Sequence, residues 1–113
     1  MSERTVESVE LRRLRRRIDP LDRRIVGLLS ERAELAREVG RVKHAVGRQA
    51  IRDTEREREV LLRVTMANTG PFPQADLLAL YRRLMSATRA LESRDRATKD
   101  VRIRIAERTD PTD

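Results

Sequence analysis

Residues 52–59 read RDTERERE, eight polar or charged positions in a row after Ile51. A helix that packs on a small core normally shows it an apolar side chain every three or four residues. This stretch shows none. It is either a solvated charge run, the ordinary reading, or it faces a surface that is itself polar. Its charges pair well at i,i+3 (Arg52–Glu55, Asp53–Arg56, Arg56–Glu59) but clash at i,i+4 (Arg52–Arg56, Asp53–Glu57, Glu55–Glu59), each clash costing a few tenths of a kcal/mol. Asp53, Arg56 and Glu57 share one helical face, a cation flanked by two acceptors. Such a face suits a ligand with an anionic group and a hydroxyl; Arg52, Glu55, Arg58 and Glu59 then meet water or ion-pair partners.

Other polar residues stand where apolar ones are expected. Leu11, Leu14, Ile18, Leu21, Ile25, Leu28, Leu35, Val39, Val42 and Val46 alternate in steps of three and four, with Arg32 completing the series. A cation on such a seam is costly unless an anion pairs with it. A helix-to-helix salt bridge or a register-setting role accounts for it as well as a ligand does. Lys43 follows eleven residues later, about 16 Å along the same face. Two cations so placed can bracket a site. Thr88 and Glu92 lie at i and i+4 beside Met85 and Leu91, on a face that otherwise looks apolar.

The seam is a helix signature sustained over about five heptads. A helix from Leu11 to Val46 is roughly 50 Å long, against a radius of gyration of about 13 Å for a compact chain of 100 residues. Packing against another chain is therefore predicted. Pro20 interrupts the pattern, and Asp19-Pro20 is also a good helix start. The seam stays in phase across it, so a kinked helix is expected, with a break into two helices as the fallback. Gly47 ends the first helix. Asp53 or Thr54 caps a second, running to about Ala67. NTGPFP (68–73) is the clearest loop. A third helix begins near Gln74 and presents Leu77, Leu78, Tyr81, Leu84, Met85 and Leu91. VRIRI (101–105) alternates like a strand but has no strand partner, so residues 98–113 read as a charged, frayed or disordered tail after a helical domain over 8–97. The fold class is all-α: three helices, long, short and medium, in an intertwined dimer.

Charged residues make up 40% of the 113-residue chain and aromatics 2%, too charged for a large private core yet too regular for disorder. Absent cysteines and a single histidine, His44, exclude disulfides and thiolate or histidine-cluster metal sites. No apolar run reaches the length of a membrane span, and MSERTVESVE offers no signal-peptide stretch; a cytoplasmic location is expected. The net charge of +7 fits a solvated arginine-rich surface, a nucleic-acid binder, or a small polyanion held by a few buried cations. One Tyr, one Phe and no Trp leave almost no base-stacking platform.

Taken together, LRRRIDPLDRRIVGLLSERAELAREVGRVK (14–43), RDTERER (52–58) and LYRRLMSATRALE (80–92) resemble the all-helical chorismate mutase family. The resemblance covers roughly residues 11–95. It implies three helices per chain interlocked in a homodimer with two active sites, and isomerisation of chorismate to prephenate by a Claisen rearrangement, a shikimate-pathway step toward the aromatic amino acids. It implies no cofactor and no metal, nor any nucleic-acid or membrane partner. By the same resemblance, Arg32 binds one substrate carboxylate and Arg15 reaches the other from the partner subunit. Lys43 contacts a carboxylate and the ether oxygen. Asp53 and Glu57 take the ring hydroxyl, Arg56 supports the carboxylate side, and Thr88 and Glu92 sit near the ether oxygen and a carboxylate.

This chain departs from the family pattern in four places. Glu92 stands where many members have Gln; a carboxylate cannot donate to the ether oxygen but a carboxylic acid can, so activity is expected to rise as pH falls. Pro20 lies between Arg15 and Arg32. Arg89 occupies a position where small or apolar residues are common. The loop from Lys43 to Asp53 is one residue longer than in close relatives. Sister activities on the same fold, rearrangement of 4-amino-4-deoxychorismate and removal of pyruvate from isochorismate, tend to depart from RDxxRE, which is intact here. A basic helical nucleic-acid or partner-binding dimer does not explain Arg32, Thr88 or Glu92. A mutase that works well only in complex with another shikimate-pathway enzyme is compatible with the same residues.

Overall fold

The structure, a computed structural model, describes residues 8–47 and 53–109. Ile51, Arg52 and most of the longer loop before Asp53 lie outside the described residues. Three helices follow one another: α1 (Val9–Ala45), α2 (Thr54–Ala67) and α3 (Gln74–Thr109). No strand occurs among the described residues, and none of their helices is long and apolar enough to cross a membrane. The chain divides into two units, one up to Leu35 and one from Ala36 onward.

The first unit is the N-terminal part of α1. Ser8 caps it: its hydroxyl oxygen accepts from the Leu11 amide at 3.0 Å, satisfying one of the free N–H groups of the first turn. Glu10 follows, where the helix dipole favours an acid, and pairs with Arg13 at 2.7 Å. The helix then runs unbroken through Pro20. Proline has no N–H for the carbonyl of Arg16, a defect of about 3 kcal/mol in a helix interior. Its fixed φ is helical, so the chain can continue, and the residues on either side hold the phase. The seam side chains lie open to solvent in the single chain, with Ile18 51%, Ile25 54% and Leu28 59% exposed.

The second unit holds the rest of α1 together with α2 and α3. Gly47 ends α1 as expected. It adopts φ +74° and donates its amide to the His44 carbonyl at 3.0 Å, a left-handed closure that a side chain would strain. Lys43 and His44 occupy the last turn, where cations suit the dipole. Asp53 caps α2, its carboxylate accepting from the Arg56 amide at 3.0 Å. At the other end, the Asn68 side chain donates to the Phe72 carbonyl and to Gln74, both at 3.0 Å, fastening the NTGPFP turn. Val60, Leu61 and Val64 of α2 and Leu77, Leu78, Tyr81 and Leu84 of α3 are half-buried, and Met85 is the one fully buried apolar residue among those described.

α3 continues to Thr109, so residues 98–109 are helical where the sequence suggests a frayed tail. The physical reason lies in what this stretch lacks. No Gly or Pro occurs between Pro73 and Pro111, and Arg96–Asp100 and Asp100–Arg104 stand at the favourable i,i+4 spacing. The alternation in VRIRI is overruled, because a strand needs a partner and a helix satisfies its own backbone. The start of this extension is tied down. Arg37 donates from Nε and Nη2 to the two carboxylate oxygens of Asp95 at 2.9 and 3.1 Å. The Arg37 hydrogen bond, reinforced by the fields of Arg37, Arg41 and Arg94, holds the Asp95 carboxyl below its ordinary value of 3.8 against a smaller opposing effect of burial.

Two outcomes follow for stability. Pro20→Ala should stabilise the protein by about 2 kcal/mol in denaturant unfolding, the interior defect less the entropy the ring removes from the unfolded chain; a loss of stability would mean Pro20 opens a separate helix. Asp95→Asn should lower the melting temperature at neutral pH. A carboxyl with a lowered folded pKa contributes fully above its unfolded value and nothing once pH falls through the folded one. The gap between the two proteins should therefore close as pH drops below 3.8; a gap that persists there would assign the effect to packing.

Candidate active site

The face of α2 predicted to meet a ligand is not uniform. Glu57 is the half-buried member, its side chain 15% exposed. From α3, Arg89 Nη1 donates to Glu57 Oε2 in a short charge-assisted hydrogen bond. Asp53 and Arg56 are exposed. One carboxylate oxygen of Asp53 is occupied by the helix cap, leaving the other as an acceptor. The Arg56 guanidinium lies 3.5 Å from Glu59, which also binds Arg63 at 2.6 Å. Glu55 and Arg58 face water. The charge run is thus split by face: one acid turns toward α3, and most of the others decorate the surface.

A second group gathers where the last turns of α1 meet α3. Glu92 lies against Gly40: a Cβ there would sit 3.6 Å from Glu92 Cγ, ordinary contact distance. The two residues share the wall of a cleft of about 50 Å³ with Arg37, Arg41, His44 and Asp95. That volume holds a few waters and is well short of the roughly 300 Å³ or more of a small-molecule pocket. Lys43 is half-buried on the same stretch of α1. One turn before Glu92, the Thr88 hydroxyl donates to the Leu84 carbonyl at 2.9 Å, which spends its proton on the helix and leaves its oxygen to accept.

Arg15 and Arg32 belong to the first unit; Arg15 is exposed and Arg32 half-buried. The second unit therefore carries six of the eight predicted site residues: Lys43, Asp53, Arg56, Glu57, Thr88 and Glu92. Within it, Glu57 is tied to α3 through Arg89, the chain neighbour of Thr88, and Glu92 lies against Gly40 of α1. Two ties have no clear signal in the sequence. Arg89 stands out as a departure from the family pattern and Glu57 as part of a polar face, but nothing in the sequence pairs them. Arg37–Asp95 joins residues 58 positions apart, and neither breaks a pattern.

Known proteins place this arrangement in context. The family description chorismate mutase type II matches residues 14–93. A bifunctional chorismate mutase/prephenate dehydratase of Stutzerimonas stutzeri is 43% identical over 90 residues, covering 76% of this chain and 25% of that protein. One from Aquifex aeolicus is 39% identical over 89 residues, covering 75% and 24%. The chain thus spans about a quarter of the length of these relatives. Among solved structures, Form II of chorismate mutase from Thermus thermophilus superposes with a TM-score of 0.70 at 36% identity, covering 75% of this chain and 96% of that one. Form I from the same organism gives 0.66 at 35% identity, covering 70% and 98%. The match at this level of identity, over most of the chain and on the same three helices, means that the protein belongs to the chorismate mutase type II family.

Proposed function

We propose that this chain converts chorismate to prephenate, working as a cytoplasmic homodimer without a cofactor. The observation that carries the reading is that all eight candidate residues, from Arg15 to Glu92, fall inside the span matched by the family, 14–93. The reading takes up the activity that the family description, the Thermus structures and the first half of the relatives' names share.

The chemistry fits the inventory. In the Claisen rearrangement the ether C–O bond breaks while a new C–C bond forms across a six-atom array. Electrons move within the substrate, and no proton or external electron is exchanged. The protein's task is to hold an extended dianion in a compact, chair-like conformer and to stabilise negative charge growing on the ether oxygen with fixed donors. Arg15 and Arg32 hold the two carboxylates, Arg56 supports the carboxylate side, and Lys43 reaches the ether oxygen. Asp53 and Glu57 receive the ring hydroxyl, and Thr88 and Glu92 complete the end near the ether oxygen. The small cleft beside Glu92 supplies only part of such an enclosure. The open apolar stripe of α1, which carries Arg32 within it and Arg15 beside it, supports the dimer: a second chain laid on it would cover Leu14, Ile18, Leu21 and Ile25 and bring Arg15 to the partner's site.

Prephenate formation tests the reading directly. Wild type should form it, and Arg32→Ala should lose about 100-fold or more in kcat/KM, the scale of removing a charged donor from a preorganised site; full activity in that variant would remove the central residue. Mixing inactive Arg15→Ala with inactive Arg32→Ala should restore activity, since one site of each mixed dimer then has both arginines. Failure of two folded, dimeric variants to complement would place both in the same subunit's site. Glu92→Gln carries a donor at every pH. It should flatten a wild-type profile that rises toward acid, while Arg37, Arg41, His44, Asp95, Arg96 and Lys99 line the same cleft in both proteins. Identical profiles would show that Glu92 does not act on the ether oxygen.

A further inference from the structure

The cleft between the last turns of α1 and the middle of α3 is cationic, and every residue lining it belongs to the second unit. Arg37, Arg41, Arg96 and Lys99 stand against two acids, Glu92 and Asp95, so the lining sums to +2 with His44 neutral. Glu38 and Lys43 on α1, and Arg94 and Asp100 on α3, border it along the helices and cancel. The C-terminal end of α1 contributes about half a negative charge, and the sum stays positive. Asp95 is taken by Arg37, at 2.9 and 3.1 Å. Arg41, His44, Arg96 and Lys99 make no ion pair among the described residues, although Arg96 gives one N–H to the Ser93 hydroxyl at 3.1 Å. Asp95 registers the surplus: beyond the Arg37 hydrogen bond, the fields of Arg37, Arg41 and Arg94 help to hold its carboxyl below the ordinary 3.8, against burial.

Space is kept open as well. Gly40 forms part of the wall. A glycine inside a helix costs stability relative to alanine, yet a Cβ here would meet Glu92 Cγ at 3.6 Å, an ordinary contact. Packing therefore does not demand the glycine; a methyl group at this point would take room from the cleft. The opening of about 50 Å³ suits one carboxylate or phosphate group and is too small for a whole ring-bearing dianion. Of its lining, only Glu92 is among the predicted substrate residues. Lys43 lies about a third of a turn round α1 from the face that Arg37, Gly40, Arg41 and His44 share.

We propose that this cleft is a binding site for a single oxyanion, the carboxylate or phosphate group of a small ligand, beside the substrate's place and distinct from it. Arg41 and Arg96 bring planar forks that match the edge of an oxyanion. Lys99 adds an ammonium on a flexible stem, and His44 a ring N–H. The Arg37–Asp95 tie stays made when the ion enters. Glu92, the remaining acid of the lining, opposes the ion, and through Glu92 the cleft adjoins the predicted substrate site.

Isothermal titration of the full chain with inorganic phosphate, and separately with acetate, tests this in about 0.1 M chloride, which screens general surface charge. Wild type should bind at least one of them with a Kd of about 1 mM or tighter. Arg41→Gln with Lys99→Gln should weaken that binding about 10-fold or more, and Glu92→Gln should tighten it about 3-fold, the effects of charges close to an anion. Arg32→Gln with Arg56→Gln removes the same charge from the predicted substrate site and should leave the Kd within about 2-fold. The tighter of the two ions assigns the ligand group as phosphate or carboxylate, and either supports the site. Absence of binding in wild type, equal weakening by the two double variants, or a Kd that ignores Glu92→Gln overturns the inference. Weakening by the Arg32 and Arg56 pair alone also overturns it, by placing the ion in the substrate site. If Arg41→Gln with Lys99→Gln does not fold, Lys99→Gln alone, at an exposed position, is judged by the same criterion. The titration contains no chorismate, so its outcome stands apart from that of prephenate formation.

Discussion

A 37-residue helix whose Leu, Ile and Val side chains stay half open to water carries a standing cost, and the rest of the molecule is arranged around it. Burying the exposed half of one such side chain is worth roughly 1 kcal/mol. Along the stripe from Leu11 to Val42 the sum approaches roughly 10 kcal/mol, the size of a whole domain's stability. The second unit offers little private core to offset it, since Met85 is the one apolar residue fully buried among those described. Local backbone chemistry therefore matters more than usual. The Ser8 and Asp53 caps, the left-handed Gly47 and the Asn68 fastening each hold a helix end that packing does not.

Charges follow the same logic at two levels. Some arginines and acids pair along one helix, as Glu10–Arg13 and Glu59–Arg63 do, on exposed surface where such pairs contribute a few tenths of a kcal/mol. Two pairs differ because they join separate helices with partly shielded side chains: Arg37–Asp95 and Arg89–Glu57. These fix α3 against the end of α1 and against α2. Along α3, Arg89 directly follows Thr88, and Arg89 and Asp95 lie on either side of Glu92, so both residues expected to do chemistry there sit on the stretch tied to the neighbouring helices. The extension of α3 past residue 93 lies beyond the family match, and Asp95 attaches its first turn.

What could be read in advance was whatever repeats or punctuates. The three- and four-residue steps of the seam give α1, and they stay in register through Pro20 because a fixed helical φ leaves the phase intact. Gly47, Asp53 and the Gly-Pro cluster at 70–73 mark ends through conformations that few other residues favour. Residues 101–105 misled because β-branched alternation is a weak signal without a partner strand, whereas the absence of any breaker over the same stretch was the stronger one. Six of the candidate residues could be assigned to the right helices from spacing alone. Their partners could not. Spacing puts Glu57 on an unusually polar face and the family resemblance marks Arg89 as a departure, but an ion pair depends on how α2 lies on α3, which no local pattern encodes.

Assembly and ligand binding then become one problem. The stripe that asks for cover also carries Arg32 in the place of an apolar residue. Covering the stripe with a second chain would stabilise the leucines and isoleucines and, in the same act, take a guanidinium out of water. A cation so desolvated needs an anion nearby, and an acidic side chain supplied by the protein would close the gap permanently. On the proposed function, a substrate carboxylate would close it only when bound. On that proposal the dimer would stop slightly short of its most stable form, with the deficit located where the dianion would enter. The binding energy recovered there is then available to hold the reacting conformer.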